Sequence, residues 1–90
     1  MKPTDYNNLR EKLLENKKWP LLYMFKFIVP NNDDKVNQVK ACLPKNGTLS
    51  FKHTKSLKHV SITCMANMAS ADDIIDVTTE VAVIEGVMVL

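Results

Sequence analysis

The longest apolar run of the chain, Trp19-Pro-Leu-Leu-Tyr-Met-Phe-Lys-Phe-Ile-Val-Pro30, is hydrophobic on both parities. Leu21, Tyr23, Phe25, Phe27 and Val29 alternate with Leu22, Met24 and Ile28, and Lys26 alone is polar. Successive strand side chains point to opposite faces, so this run predicts a central strand with something packed over each side. Before it, Tyr6, Leu9, Leu13 and Leu14 recur at helical spacing and predict an amphipathic helix over residues 5–17. Thr4 or Asp5 is its expected N-cap, and Lys17 and Lys18 suit the negative end of its dipole.

After Pro30 the cluster Asn31-Asn-Asp-Asp34 starts a second helix, with Val36, Val39, Cys42 and Leu43 inward and Lys35, Asn37, Gln38 and Lys40 outward. Pro44 stops that helix and Asn46-Gly47 makes a turn. Two alternating stretches follow, residues 48–55 and 58–67. Leu49, Phe51 and His53 form the inward set of the first; Val60, Ile62, Cys64 and Ala66 form that of the second. Pairing His53 with Val60 brings the inward sets together as a hairpin and sets Lys52 opposite Ser61 and Thr54 opposite His59. Ser70, followed by Asp72 and Asp73, signals a third helix carrying Ile74, Val77, Thr78 and Val81, although Ile, Val and Thr themselves favour strands. Gly86 breaks it, and residues 87–90 read as a short last strand.

The N-terminal helix apart, the order is strand, helix, strand, strand, helix, strand: an α+β, ferredoxin-like split βαβ pattern with a four-stranded antiparallel sheet. Right-handed crossovers put the first and third strands in the centre and both helices on one face. Residues 1–18 are then a helical extension on a core of residues 19–90. Leu22, Met24 and Ile28 point to the other face, which needs a cover from the N-terminal helix, a second copy or a protein partner.

Composition narrows the function without supplying it. Ninety residues with 46% hydrophobic and 24% charged positions make one ordinary globular domain. A net charge of +2 is too small to imply nucleic acid. The N-terminus lacks a secretory apolar region and no stretch is long enough for a membrane span, so a cytoplasmic location is expected. Cys42 and Cys64 lack C-x-x-C spacing and read as reduced, structural thiols. With His53 and His59 they include zinc-ligand types, but the predicted elements aim them apart, so no metal is expected. Two glycines cannot build a phosphate cradle, and Asp72, Asp73, Asp76 and Glu80 read as a solvated helix face. No catalytic residue and no cofactor are expected.

The stretch from Trp19 to Pro30, the strand His59-Val-Ser-Ile-Thr63 and the ending Ile84-Glu-Gly-Val-Met-Val-Leu90 resemble the YbeD-like family of small bacterial proteins of unknown function, over about residues 9–90. The resemblance implies a ferredoxin-like fold akin to the ACT regulatory domains that bind amino acids, and hence a non-enzymatic regulatory or interaction module. The turn residues 31–34 lack the glycine usual in ACT domains after the first strand. The candidate ligand site is the turn at Asn31, Asn32, Asp33 and Asp34, where helix-start N–H groups would meet a ligand carboxylate and Asp33 or Asp34 its ammonium. RNA binding, the third class, needs aromatics on the open sheet face. The open set His59, Ser61, Thr63, Met65, Leu22, Met24 and Lys26 contains none, although Lys52, Lys55, Lys58 and His59 gather at the hairpin.

Overall fold

The computed structural model describes residues 3–15 and 18–90. Its elements are α1 (Pro3–Leu14), β1 (Leu21–Pro30), α2 (Asp33–Cys42), β2 (Thr48–His53), β3 (His59–Met68), α3 (Ala71–Ala82) and β4 (Met88–Val89). All strand pairs are antiparallel, in one sheet of order β2-β3-β1-β4. The class is therefore α+β, with the first and third strands central and the second and fourth at the edges, as expected.

Register follows from burial. Phe25, Phe27 and Val29 lie beside Cys64, Ile62 and Val60, so the apolar parities of β1 and β3 share one face. Val39 of α2, Leu43 at its C-cap, Ile74 and Val81 of α3 and Leu13 of α1 close over that face in a single core. The hairpin pairs His53 with Val60 and Lys52 with Ser61, and the Thr54 N–H donates to the His59 carbonyl at 3.1 Å, in the predicted register. A slip of one residue would put Ile62 and Cys64 in water.

Local chemistry sets the helix starts. Asn32 caps α2, its Oδ1 accepting from the N–H groups of Asp34 and Lys35. Ser70 caps α3 by accepting from the Asp73 N–H at 3.1 Å. That cap and the apolar stripe outweigh the β-branched composition of α3. Its threonines turn inward on their own helix, Thr78 Oγ1 donating to the Ile74 carbonyl and Thr79 Oγ1 to that of Ile75.

The structure departs from the sequence reading in three places. Helix α1 begins at Pro3, a favoured first-turn residue, and ends at Leu14, which is exposed and outside the buried stripe. The side chains of Thr4, Asp5 and Tyr6 and all of Lys17 lie outside the described residues. In β2, Phe51 and His53 face the helix side yet remain exposed, because an edge strand reaches past the helices that cover the centre. The Lys40 ammonium of α2 stands 5.9 Å from the Phe51 ring centre, over its face. The last strand is two residues long, not four. Of the covers left open for the second sheet face, α1 is not the one: it packs on α3, tied by the Arg10–Asp72 ion pair at 2.7 Å.

Glycine is required at two places. Gly86 has φ of +86°, and a Cβ there would stand 2.8 Å from Pro30 Cγ. At Gly47 a Cβ would stand 2.6 Å from the Sγ of the fully buried Cys64. Gly47→Ala should therefore cost about 1–3 kcal/mol by overpacking, read from urea denaturation. Cys64→Ala in the same chain should recover part of that loss, because it removes the obstructing atom; strictly additive costs would refute the contact.

Candidate functional site

The even-numbered positions of β1 and their neighbours form the bare face. Across the sheet, Thr48, Met65 and Met24 make one row; Ser50, Thr63 and Lys26 make the next; Lys52, Ser61, Ile28 and Met88 make a third. The face is thus split lengthwise. Leu22, Met24, Ile28, Met88 and Leu90 run along β1 and β4, whereas hydroxyl side chains dominate β2 and β3. Leu22, Met24 and Met88 each keep more than half their surface in water (57%, 54% and 54%), although β1 is central to the sheet. Of the three expected interface residues, Leu22 and Met24 are exposed, and Ile28 is half-buried beside Met88. Met65 and Leu90 join them, and β-pairing with Met24 and Lys26 is what brings them in. Methionine is unbranched and polarizable, so a Met-rich surface adapts to varied partners. Among the described residues of this face the charged side chains are the cations Lys26 and Lys52.

The turn at Asn31, Asn32, Asp33 and Asp34 is exposed at one end of the sheet. Its polar groups are largely used by the fold. The Asn31 side chain donates to the Leu57 carbonyl at 2.8 Å and its N–H to the Lys58 carbonyl at 2.9 Å, fastening the turn to the β2–β3 hairpin. Leu57 there adopts φ of +58°, the left-handed conformation usually given to Gly or Asn. At the start of α2, the Asp34 and Lys35 N–H groups go to Asn32 Oδ1 and the Val36 N–H to the Asn32 carbonyl. Of the first-turn donors, the Asp33 N–H alone has no such partner among the described residues, and it belongs to one aspartate and precedes another.

The thiols are set apart from one another. Cys64 is buried under the helices in β3, and burial raises its pKa. Cys42 ends α2, where burial and then the Glu80 carboxylate raise its pKa. His53 lies on the exposed edge strand and His59 on the bare face beside Pro30. Among the described residues no three His, Cys, Asp or Glu side chains gather as a metal would require. No described helix is long and apolar enough to cross a membrane.

Two hollows occur. A cavity of about 90 Å³ lies where Leu9 of α1 and Thr78 of α3 meet Tyr23, Phe25 and Val89 at the β1 edge. Tyr23 there is half-buried, and burial raises the pKa of its hydroxyl. An open, shallow cleft of about 380 Å³ between the end of α2 and the start of α3 includes Cys42, Asp73 and Asp76. Comparison with protein-family models, with curated proteins and with solved structures finds no match.

Asn32→Ala should destabilise the protein by about 1 kcal/mol through loss of the cap, and Asp33→Ala by less than about half that, both by thermal denaturation. The thiols give a pH effect of definite sign. Their pKa values are raised on folding, so the unfolded chain ionises first and stability falls as pH climbs above the ordinary thiol range. Cys42→Ser with Cys64→Ala should flatten that part of the stability–pH curve, and an unchanged slope would assign it to other groups.

Proposed function

We propose that the chain is a small non-enzymatic interaction or regulatory module of ferredoxin-like, ACT-like type that works through its bare sheet face. The sheet order β2-β3-β1-β4 and the split βαβ connection support the fold reading. One observation carries the functional reading: three helices lie on one side of the sheet, while the other side of its central strand exposes Leu22 and Met24 beside Met65, Met88 and Leu90. Exposed apolar side chains gathered on one face mark interaction sites, whereas singly scattered ones do not. The face suits a protein surface better than RNA, since the bases of single-stranded RNA stack on aromatic rings and both Tyr23 and Phe51 belong to the opposite face.

The amino-acid sensor reading has less support, because the fold itself occupies most donors of the turn at Asn31 to Asp34.

A photo-crosslinking side chain placed at Met24 or Met65 should capture discrete protein adducts in cells, whereas one at Gln38, exposed on α2, should not. Equal or absent capture at the three positions would overturn the reading. Met24→Glu should change stability by less than about 0.5 kcal/mol, because the position is a solvated one. Amide spectra titrated with millimolar amino acids should stay unmoved at residues 31–36; saturable shifts there that vanish in Asp33→Ala would replace the interaction module with a sensor.

A further inference from the structure

The bare sheet face has an apolar half and a cationic half. Leu22, Met24 and Ile28 of β1, with Met88 of β4, form the apolar stripe, which runs about 20 Å from Leu22 to Ile28. Beside it, β3 and β2 carry the hydroxyls of Thr63, Ser61 and Ser50 between Lys26 and Lys52. The two lysines stand two strands apart and one row along, with about 12 Å between their Cα atoms. Both are exposed, and among the described residues neither meets a carboxylate at ion-pair distance. Complementary charge across an interface steers the encounter and suppresses wrong partners, so this face selects a partner that is apolar on one side and acidic on the next.

We propose that the partner at this face is an acidic amphipathic helix of another protein, an inference that deepens the interaction reading and rests on it. Backbone groups of a sheet point along its plane, so a chain lying across the face gains no hydrogen bonds from them. It must satisfy its own N–H and C=O groups, and a helix does so within itself. The dimensions agree. Strands β1 and β4 lie about 5 Å apart, and one helix with its side chains is about 10 Å across. The stripe takes about 14 residues of helix, or four turns. Apolar residues at i, i+3, i+4 and i+7 then lie over Leu22, Met24 and Ile28, and carboxylates on the flank toward β3 meet Lys26 and Lys52. Met24, Met65 and Met88 are unbranched and adapt to the ridges of such a helix.

A second copy of the chain fits less well. Two stacked bare faces would set lysines against lysines, with no described carboxylate between them. Nor do the described helices of a second copy offer the stripe: their exposed large apolar side chains are Leu14 of α1 and Val83 at the C-cap of α3, one each. The acidic side of α3, with Asp72, Asp73, Asp76 and Glu80, carries charge without apolar cover. An anionic lipid surface shares the charge but not the shape. A surface that binds lipid buries its apolar groups about 5–10 Å into the headgroup boundary, whereas Lys26 and Lys52 reach farther from this sheet than Leu22 or Met24 can.

Two synthetic helical peptides of about 14 residues, each with a leucine stripe, one flanked by glutamates and the other by lysines, test the inference on the wild-type chain. In methyl spectra, Met24, Met65 and Met88 should shift saturably with the glutamate peptide, while Met68, buried on the helix side, should not. The glutamate peptide should bind about tenfold more tightly than the lysine peptide. Raising salt from about 0.1 M to about 1 M shortens the Debye length from about 10 Å to about 3 Å and should erase most of that difference. Lys26→Glu with Lys52→Glu should reverse the preference, and because both positions are exposed the double variant should melt like the wild type. Equal binding of the two peptides, or shifts that spare Met24 and Met65, overturns the proposal. So does a phosphatidylserine vesicle or a uridine oligonucleotide that moves those methyls where the glutamate peptide does not. Capture of protein at Met24 and Met65 in cells, with no preference for the glutamate peptide, overturns the acidic helix alone and leaves the interaction face standing.

Discussion

Packing of the odd-numbered side of β1 against β3 and the helices is the interaction on which the rest of this structure depends. Phe25, Phe27 and Val29 are almost wholly removed from water, and Ile62, Cys64, Ile74, Val39 and Val81 reach the same condition only because they close on those side chains. Burial of this kind stabilises by about 25 cal/mol per Å² of apolar area. It also sets the handedness of every later choice, because once the odd parity is committed to the helices the even parity of the same strand must face the other way.

That coupling explains how an ordinary core produces an extraordinary surface. A central strand is apolar on both sides here, but the three helices stand on one side only. Helix α1 had an alternative, since it could have crossed beneath the sheet. Its buried Leu13 and the partly buried Leu9 are instead drawn to α3, where Arg10 also meets Asp72. The ion pair is exposed and contributes little, on the order of 0–1 kcal/mol; the leucines decide the docking.

The turn at residues 31–34 illustrates how a helix start can look like a binding site in sequence and serve the fold in three dimensions. Asn and Asp are favoured at such starts because their side chains satisfy the first N–H groups, and Asn32 does so. Asn31 is used differently, as a tie to the carbonyl of Leu57 in the hairpin. That tie helps to hold a leucine in a left-handed conformation that its own side chain disfavours.

Much of the fold was legible in the residues themselves. Period-two alternation in residues 58–67 fixed which of Val60, Ile62, Cys64 and Ala66 would be inside, and matching that parity to residues 48–55 fixed the hairpin register, because a slip of one inverts a strand. The Ser70 cap was enough to separate helix from strand in a stretch whose composition favoured the latter. Leu22, Met24 and Ile28 were recognisable as a second apolar face. Other features depend on distances that sequence does not encode. Whether α1 would cover that face, how far β4 would run, and that Phe51 would stay wet on an inward parity are all settled by which surfaces are left over after the core closes.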